Sequence, residues 1–316
     1  MIEEKYLYSS TYPSIDDFVP KADSIYIYAH STEGRSHSVD RLIEQKLMGV
    51  KFVEVSESPE DKILEVKSNL VYSLRSSKSI HQFFESHGGG EVYIDVSGMG
   101  NRVSASLINN AVQIWKSNPA REIHVIYTEP ETYNIKGFQS EGVFHDLSEQ
   151  IDGIEPLPGF ATIIPDEVDD FEFIALLGFE GGRFTHMIES VQPPKDNIIP
   201  VIGVPGFRLE YPFVAYWGNR RPLKETETWR NVRYAAANSI VDTYFLLSKL
   251  LRSCQSNKMK VAPIGTKPHA IGAIIFAIQH SSRVELVYDN PVRKKKRTEG
   301  LGKIVVCNVS SLLAAN

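Results

Sequence analysis

The chain has 316 residues, 42% hydrophobic and 23% charged, which allows one large or two ordinary soluble units. Its net charge of -5 gives no global attraction to nucleic acid or anionic membrane, so any polyanion site has to be a local basic cleft. Two cysteines, Cys254 and Cys307, are too few for a disulfide framework and are not spaced as a zinc site. They read as buried free thiols in a reducing cytoplasm. No stretch approaches the roughly 20 apolar residues of a membrane span. The acidic opening MIEEKYLYSSTYPSIDD does not read as a signal peptide. The expectation is a cytoplasmic protein with no membrane partner.

In chain order, SIYIYAH (24–30) predicts a strand, followed by a glycine-bearing turn and a helical pattern through STEGRSHSVDRLIEQKLM. VKFVEVSE (50–57) alternates as a strand. A helical region is expected from Asp61 to Ser86, with a break near Ser76 and Ser77, and GGG (88–90) stops it. EVYIDVS is the next strand, then the GMGNR turn, a helix to about Lys116, and the strand EIHVIYTEP. A connector, EPLPGFATIIPDEVDD, opens the second half. There FEFIALLGF, NIIPVIGVPGF, MKVAPIG and RVELVYDNP predict strands. EGGRFTHMIESV, the long segment 228–256 and TKPHAIGAIIFAIQ predict helices, and KIVVCNVS a last strand.

Both halves therefore follow one order of parts. Gly34-Arg35 matches Gly182-Arg183, Gly98 matches Gly265, and Tyr127 and Pro130 match Tyr288 and Pro291. The expected architecture is α/β: two Rossmann-like lobes with mainly parallel sheets, related by an internal pseudo-two-fold repeat. The expected boundaries are 1–150, with an N-terminal extension, and 151–316, with an insertion near 208–227.

In parallel α/β sheets, ligands sit outside the carboxyl ends of the strands, where all these turns fall. A glycine lets backbone approach a ligand, and the helix that follows offers free N–H groups and a positive dipole end. The residues expected to line such a site are Arg35, Ser36, Ser97, Gly98, Asn101, Arg102, Gly182, Arg183, Gly265, Thr266 and Lys267. They suit a phosphorylated ligand. No full P-loop or dinucleotide pattern is present, because GMGNRV lacks the third glycine. Neither a catalytic set, a metal ligand group nor a cofactor is assigned. His30 and His37 flank the first turn and read as polar rim residues. Glu33 and Glu180 beside the turns could pair with the adjacent arginines, bind a ribose or act as bases.

The DVSGMGNR and PIGTKPHA turns resemble the diagnostic turn of CARF domains, Rossmann-like sensors of cyclic oligonucleotides in prokaryotic antiviral immunity. Two such lobes in one chain resemble the SAVED domain. The resemblance spans roughly 24–133 and 171–291. It departs from the pattern at Ala262, which stands where the first turn has Asp95, and at the 208–227 segment. It implies a sensor or regulatory subunit that binds a cyclic oligonucleotide or other phosphorylated nucleotide and signals to a separate effector protein in anti-phage defence. Two other readings stay open: an enzyme that processes a nucleotide or phosphodiester, and a structural subunit with a degenerate pocket.

The basic run Arg293, Lys294, Lys295, Lys296 and Arg297 reads either as a solvated hairpin or as a nucleic-acid contact. YPFVAYW (211–217), followed by NRRP, is core if buried. If exposed, it is a protein contact or a base-stacking surface.

Overall fold

Two α/β units emerge in the computed structural model, which describes residues 7–58, 60–134, 147–151, 153–161, 170–254 and 258–315. One unit comprises residues 1–134 with 295–316, the other residues 135–294.

The first unit is built on β2 (Ile25–Tyr28), β3 (Lys51–Ser58), β6 (Val92–Asp95) and β7 (Ile123–Thr128), all parallel, in the order β7-β6-β2-β3. Every residue of β2 and β6 is buried, as a strand covered on both faces requires. One face carries α1 (Val39–Glu44), whose Val39 and Leu42 pack with Tyr26, Tyr93 and Ile126. Two further helices belong to this unit, α2 (Ser77–Ser86) and α3 (Asn101–Ser117), and they pack on each other. Antiparallel strands extend both edges. β4 (Lys62–Glu65) and β5 (Leu70–Ser73) follow β3. At the other edge β18 (Ile304–Asn308) pairs with β7, and β1 (Ser9–Tyr12) pairs with β18. A helical turn, α8 (Val309–Ala314), ends the described chain.

Three sequence expectations change here. The segment 61–73 is a hairpin, not a helix. Ile63, Val66 and Leu70 keep a helical spacing, but Asn69 takes φ 56° and closes a turn, a conformation Asn tolerates. Only the expected break survives as a boundary: the Ser76 side chain accepts the Ser79 N–H and caps α2. The polar N-terminal extension contributes an edge strand. The last strand returns to the first sheet, so the second unit does not run to residue 316. Ile304, Val305, Val306 and Cys307 are buried, and pairing along β7 covers them.

In the second unit the parallel strands are β11 (Glu172–Leu176), β12 (Ile198–Gly203), β13 (Arg233–Ala235), β14 (Met259–Pro263) and β15 (Val284–Tyr288). Their order is β15-β14-β11-β12-β13, with β10 (Glu155–Pro156) antiparallel on β15. The first, second, third and last long strands thus stand in the same order as β2, β3, β6 and β7 do in the first unit. Phe171, Phe173, Ala175 and Leu177 point to one face at a period of two. They meet Phe184 and Met187 of α4 (Gly181–Val191) and Ala215 and Leu223 of α5 (Tyr211–Glu225). α6 (Ile240–Ser253) and α7 (Lys267–Gln279) pack on each other. α7 is apolar all round and buried from Pro268 to Ile278. Its Gly272 lets α6 approach: an added Cβ would lie 2.6 Å from the Ile240 carbonyl oxygen.

The expected insertion is α5, the crossover helix between β12 and β13. The long helix expected over 228–256 is in fact a short 3-10 turn, the strand β13, and then α6. Ser239 starts α6 by accepting the Asp242 N–H. Residues 255–256 of that expectation and 162–169 of the connector lie outside the described residues. Two short ladders complete the units: β8 (Thr132–Tyr133) with β17 (Thr298–Glu299) in the first, and β9 (Ser148–Ile151) with β16 (Pro291–Arg293) in the second. Among the described residues, no helix is long and apolar enough to cross a membrane.

Candidate functional site

In each unit the strand order reverses beside the first parallel strand, so the switch point where open α/β sheets bind ligands falls at the carboxyl ends of β2 and β6, and of β11 and β14. The expected residues lie along these edges, and their partners decide what each can do.

The glycines bring two turns together. A Cβ on Gly98 would lie 1.8 Å from the Ala29 carbonyl oxygen and 2.9 Å from the Ser36 Cβ. One on Gly265 would lie 2.6 Å from the Leu177 carbonyl oxygen. Backbone therefore fills the space beside both glycines that the sequence reading offered to a ligand. Gly98→Ala is expected to cost about 2–3 kcal/mol, because neither backbone can retreat. Urea denaturation of the variant checks this, and a loss below about 0.5 kcal/mol would show that the turns are not in contact.

Hydroxyl groups fasten the first-unit turns. Ser36 Oγ donates to the Glu33 carbonyl (2.7 Å) and accepts from Ser31 N–H (2.9 Å). Ser97 Oγ accepts the Thr128 N–H (2.8 Å), and the Ser97 N–H donates to Asp95 (2.9 Å). Asp95 also accepts the Tyr26 hydroxyl (3.0 Å). Burial raises the Asp95 pKa, against the pull of Ser97, Tyr26 and the Arg35 charge. Asn101 is buried at the start of α3.

Three of the four cations assigned to phosphate are arginines, and each has a different fate. Arg102 donates from Nε to Asp61 (2.6 Å), which Arg75 also engages. A Cβ on Gly100 would meet a Glu57 carboxylate oxygen at 2.6 Å, so a protein carboxylate already stands at the N-terminus of α3. Arg183 is sealed in: Nε and Nη2 donate to Asp289 (2.7 and 2.6 Å) and Nη1 to the Ile264 carbonyl (2.7 Å). Its assignment to a phosphate is corrected accordingly, since a bidentate carboxylate fills its donor fork.

Arg35, in the turn after β2, reaches Tyr127, much as Arg183, after β11, reaches Tyr288. Its guanidinium lies over the Tyr127 ring at 5.3 Å, as that of Arg183 lies over Tyr288 at 6.0 Å. Nη1 donates to the Tyr127 hydroxyl (2.6 Å). Arg35 is only 6% exposed; among the described residues no carboxylate lies within ion-pair distance and its Nε has no hydrogen-bond partner, while Tyr127, Tyr133 and the charge of Glu33 hold its pKa up against burial. Thr128 stands where the second unit has Asp289. The neighbouring Glu33 carboxylate is held instead by Arg297 and Thr298. In the second unit Gly182 is exposed on α4. The Thr266 hydroxyl caps α7 and donates to the Ala237 carbonyl (2.8 Å), and Lys267 is half-buried in the first turn of α7.

Sequence reasoning placed His30 and His37 at the rim but missed their acidic partners. His30 contacts Glu54 through Nδ1 (2.8 Å) and Asp40 through Nε2 (2.9 Å), and it stacks on His37 at 4.5 Å. Burial alone lowers its pKa, but the two carboxylates more than reverse this and raise it. Partners on both ring nitrogens favour the imidazolium form. His30, His37 and Asp40 bring three ligand atoms within 4.8 Å of one another, so a metal could be held there once His30 gave up a proton. The His-x6-His-x2-Asp spacing was a visible signal; Glu54 arrives only through the β2–β3 register.

In the basic run, Lys294, Lys295 and Lys296 are exposed while Arg297 is tied to Glu33. The Arg293 side chain lies outside what the structure describes. Comparison with protein-family models and with curated proteins gives no match to this chain.

Proposed function

We propose that the chain is a nucleotide-binding sensor that takes a phosphorylated ligand at the carboxyl edge of the first sheet. Arg35 carries this reading. A cation buried without a carboxylate is costly, and an anionic ligand is the partner that offsets the cost. On this reading the two units are an internal pseudo-two-fold repeat. One copy keeps a cation with no carboxylate in direct contact, and the other has paired its counterpart with Asp289. The resemblance to CARF and SAVED domains supplies the ligand class, a cyclic oligonucleotide, and the role, a regulatory subunit of a separate effector in anti-phage defence.

The test is mass spectrometry of nucleotides released on denaturation, with thermal shifts against a panel of cyclic and linear oligonucleotides. A ligand at 100 times its Kd is expected to stabilise the protein by about 2.7 kcal/mol. Arg35→Met should fold, since it leaves no carboxylate stranded, and should lose at least about tenfold in affinity, as expected for a charge-assisted contact. An empty wild-type protein that ignores the panel would overturn the reading.

A further inference from the structure

The strongest unassigned feature is the outer face of α5. Phe213, Trp217, Arg220 and Lys224 are exposed at spacings of four, three and four residues, forming one stripe along the helix. The stripe forms part of the lining of an open groove of about 590 Å³, together with Tyr216 and Trp229. Phe213 is 69% exposed and Trp229 54%, large values for apolar rings with no functional reason to face water. Arg220 stacks on Trp217 at 4.1 Å and Arg230 on Trp229 at 4.9 Å. At the sheet edge, Tyr234 of β13 shares a hydroxyl contact with Tyr216 (2.5 Å).

Charge selects the occupant. Residues 207–234 hold six cations against three carboxylates in a chain whose net charge is -5. Arg208 and Arg221 pair with Glu210 and Glu225. Arg220, Lys224, Arg230 and Arg233 have no carboxylate partner among the described residues, and no carboxylate lines the groove. An apolar protein helix laid in this groove would desolvate Arg220 and Lys224 without compensating them. Flat aromatic faces interleaved with unpaired cations are what a single-stranded nucleic acid needs: bases stack on the rings while phosphates meet the cations.

We propose that the α5 groove binds single-stranded nucleic acid without strong sequence preference, through stacking on Phe213, Trp217 and Trp229. The groove belongs to the second unit and Arg35 to the first, and each proposal can fail without the other.

The experiment is fluorescence anisotropy of a labelled oligothymidylate of about 15 nucleotides, within the usual footprint of such grooves, titrated with the full chain. Saturable binding is expected, with Kd falling in the range of about 1–100 µM at moderate salt. A log–log salt slope near about -3 corresponds to four phosphate contacts on a single strand. Trp217→Ala combined with Trp229→Ala should weaken binding at least about tenfold. Arg220→Glu with Arg230→Glu should weaken it and flatten the salt slope. These side chains are exposed, so unchanged thermal melting is the folding control. No anisotropy change up to the solubility limit, or variants that bind as tightly as wild type, would overturn the proposal. So would a chain that ignores the oligonucleotide but dimerises through the groove, with sedimentation showing the tryptophan variant monomeric.

Discussion

Asp289→Asn is expected to lower the stability of the second unit by about 3–5 kcal/mol, the cost of stranding one member of a buried ion pair. Asp289 is 0% exposed and Arg183 is 3% exposed. Burial opposes the Arg183 charge, but Asp289, Tyr288 and Glu180 more than offset this and hold its pKa above the usual arginine value. An asparagine would keep one acceptor and turn an amide donor toward the guanidinium, leaving the cation uncompensated. Trp217 and Trp229 lie in this unit and Trp115 in the other, so tryptophan fluorescence in urea follows the second unit in a Trp115→Phe background. With a slope of about 2 kcal/mol/M, the midpoint should fall by about 1.5–2.5 M. Replacing both partners, Arg183→Met with Asp289→Leu, should recover part of the loss, because the bidentate pair is removed together while Glu180, which loses Arg183, keeps the Leu147 N–H and the Ser148 hydroxyl. A single variant within about 0.5 kcal/mol of wild type would mean that the pair does not close this edge. The switch point of the second sheet would then have to be reconsidered as a ligand site.

Acid should also weaken the second unit, through His269. This side chain lies on α7, is fully buried, and its Nε2 faces the Ala236 carbonyl at 3.1 Å. Burial pushes its pKa down to about 4, against the smaller upward pull of the Ala236 and Ala235 carbonyls and Asp242. In the unfolded chain the same group titrates near about 6.5. The folded pKa is the lower one, so the unfolded state takes up the proton first as pH falls. The stability that neutral His269 contributes is fully present above about pH 6.5 and is lost as pH drops toward its folded value, about 3 kcal/mol in all. His269→Gln keeps a donor for Ala236 and removes the titration. Urea midpoints measured from about pH 7.5 down to about pH 4 should diverge, with the wild type falling faster. Parallel curves would show that the imidazole is not held neutral.

Most of the parallel core was legible in the sequence. The apolar runs of β2, β6, β11 and β14 need cover on both faces, and that need shows as hydrophobicity broken only by Asp95, Glu172 and Lys260. The helix starts at Ser76 and Thr266 follow from side chains that cap local N–H groups. Where periodicity was ambiguous, local reasoning failed. Residues 61–73 pair as β4 and β5 because β3 offers an edge, and residues 233–235 become β13 because β12 does. The aromatic density of 211–217 was visible too. Its exposure was not, because only packing of the opposite face of α5 on the sheet turns Phe213 and Trp217 outward.

By itself the sequence determined the alternation of strands and helices, the glycine turns and the placing of arginines beside them, since each depends on residues a few positions apart. Tertiary structure alone decided which of these arginines meet a carboxylate directly. Arg183 meets Asp289 across 106 residues and Arg102 meets Asp61 across 41, while Arg35 donates to the Tyr127 hydroxyl, 92 residues away. Coulomb energy and desolvation depend on distance and burial in space, and no local pattern along the chain carries either.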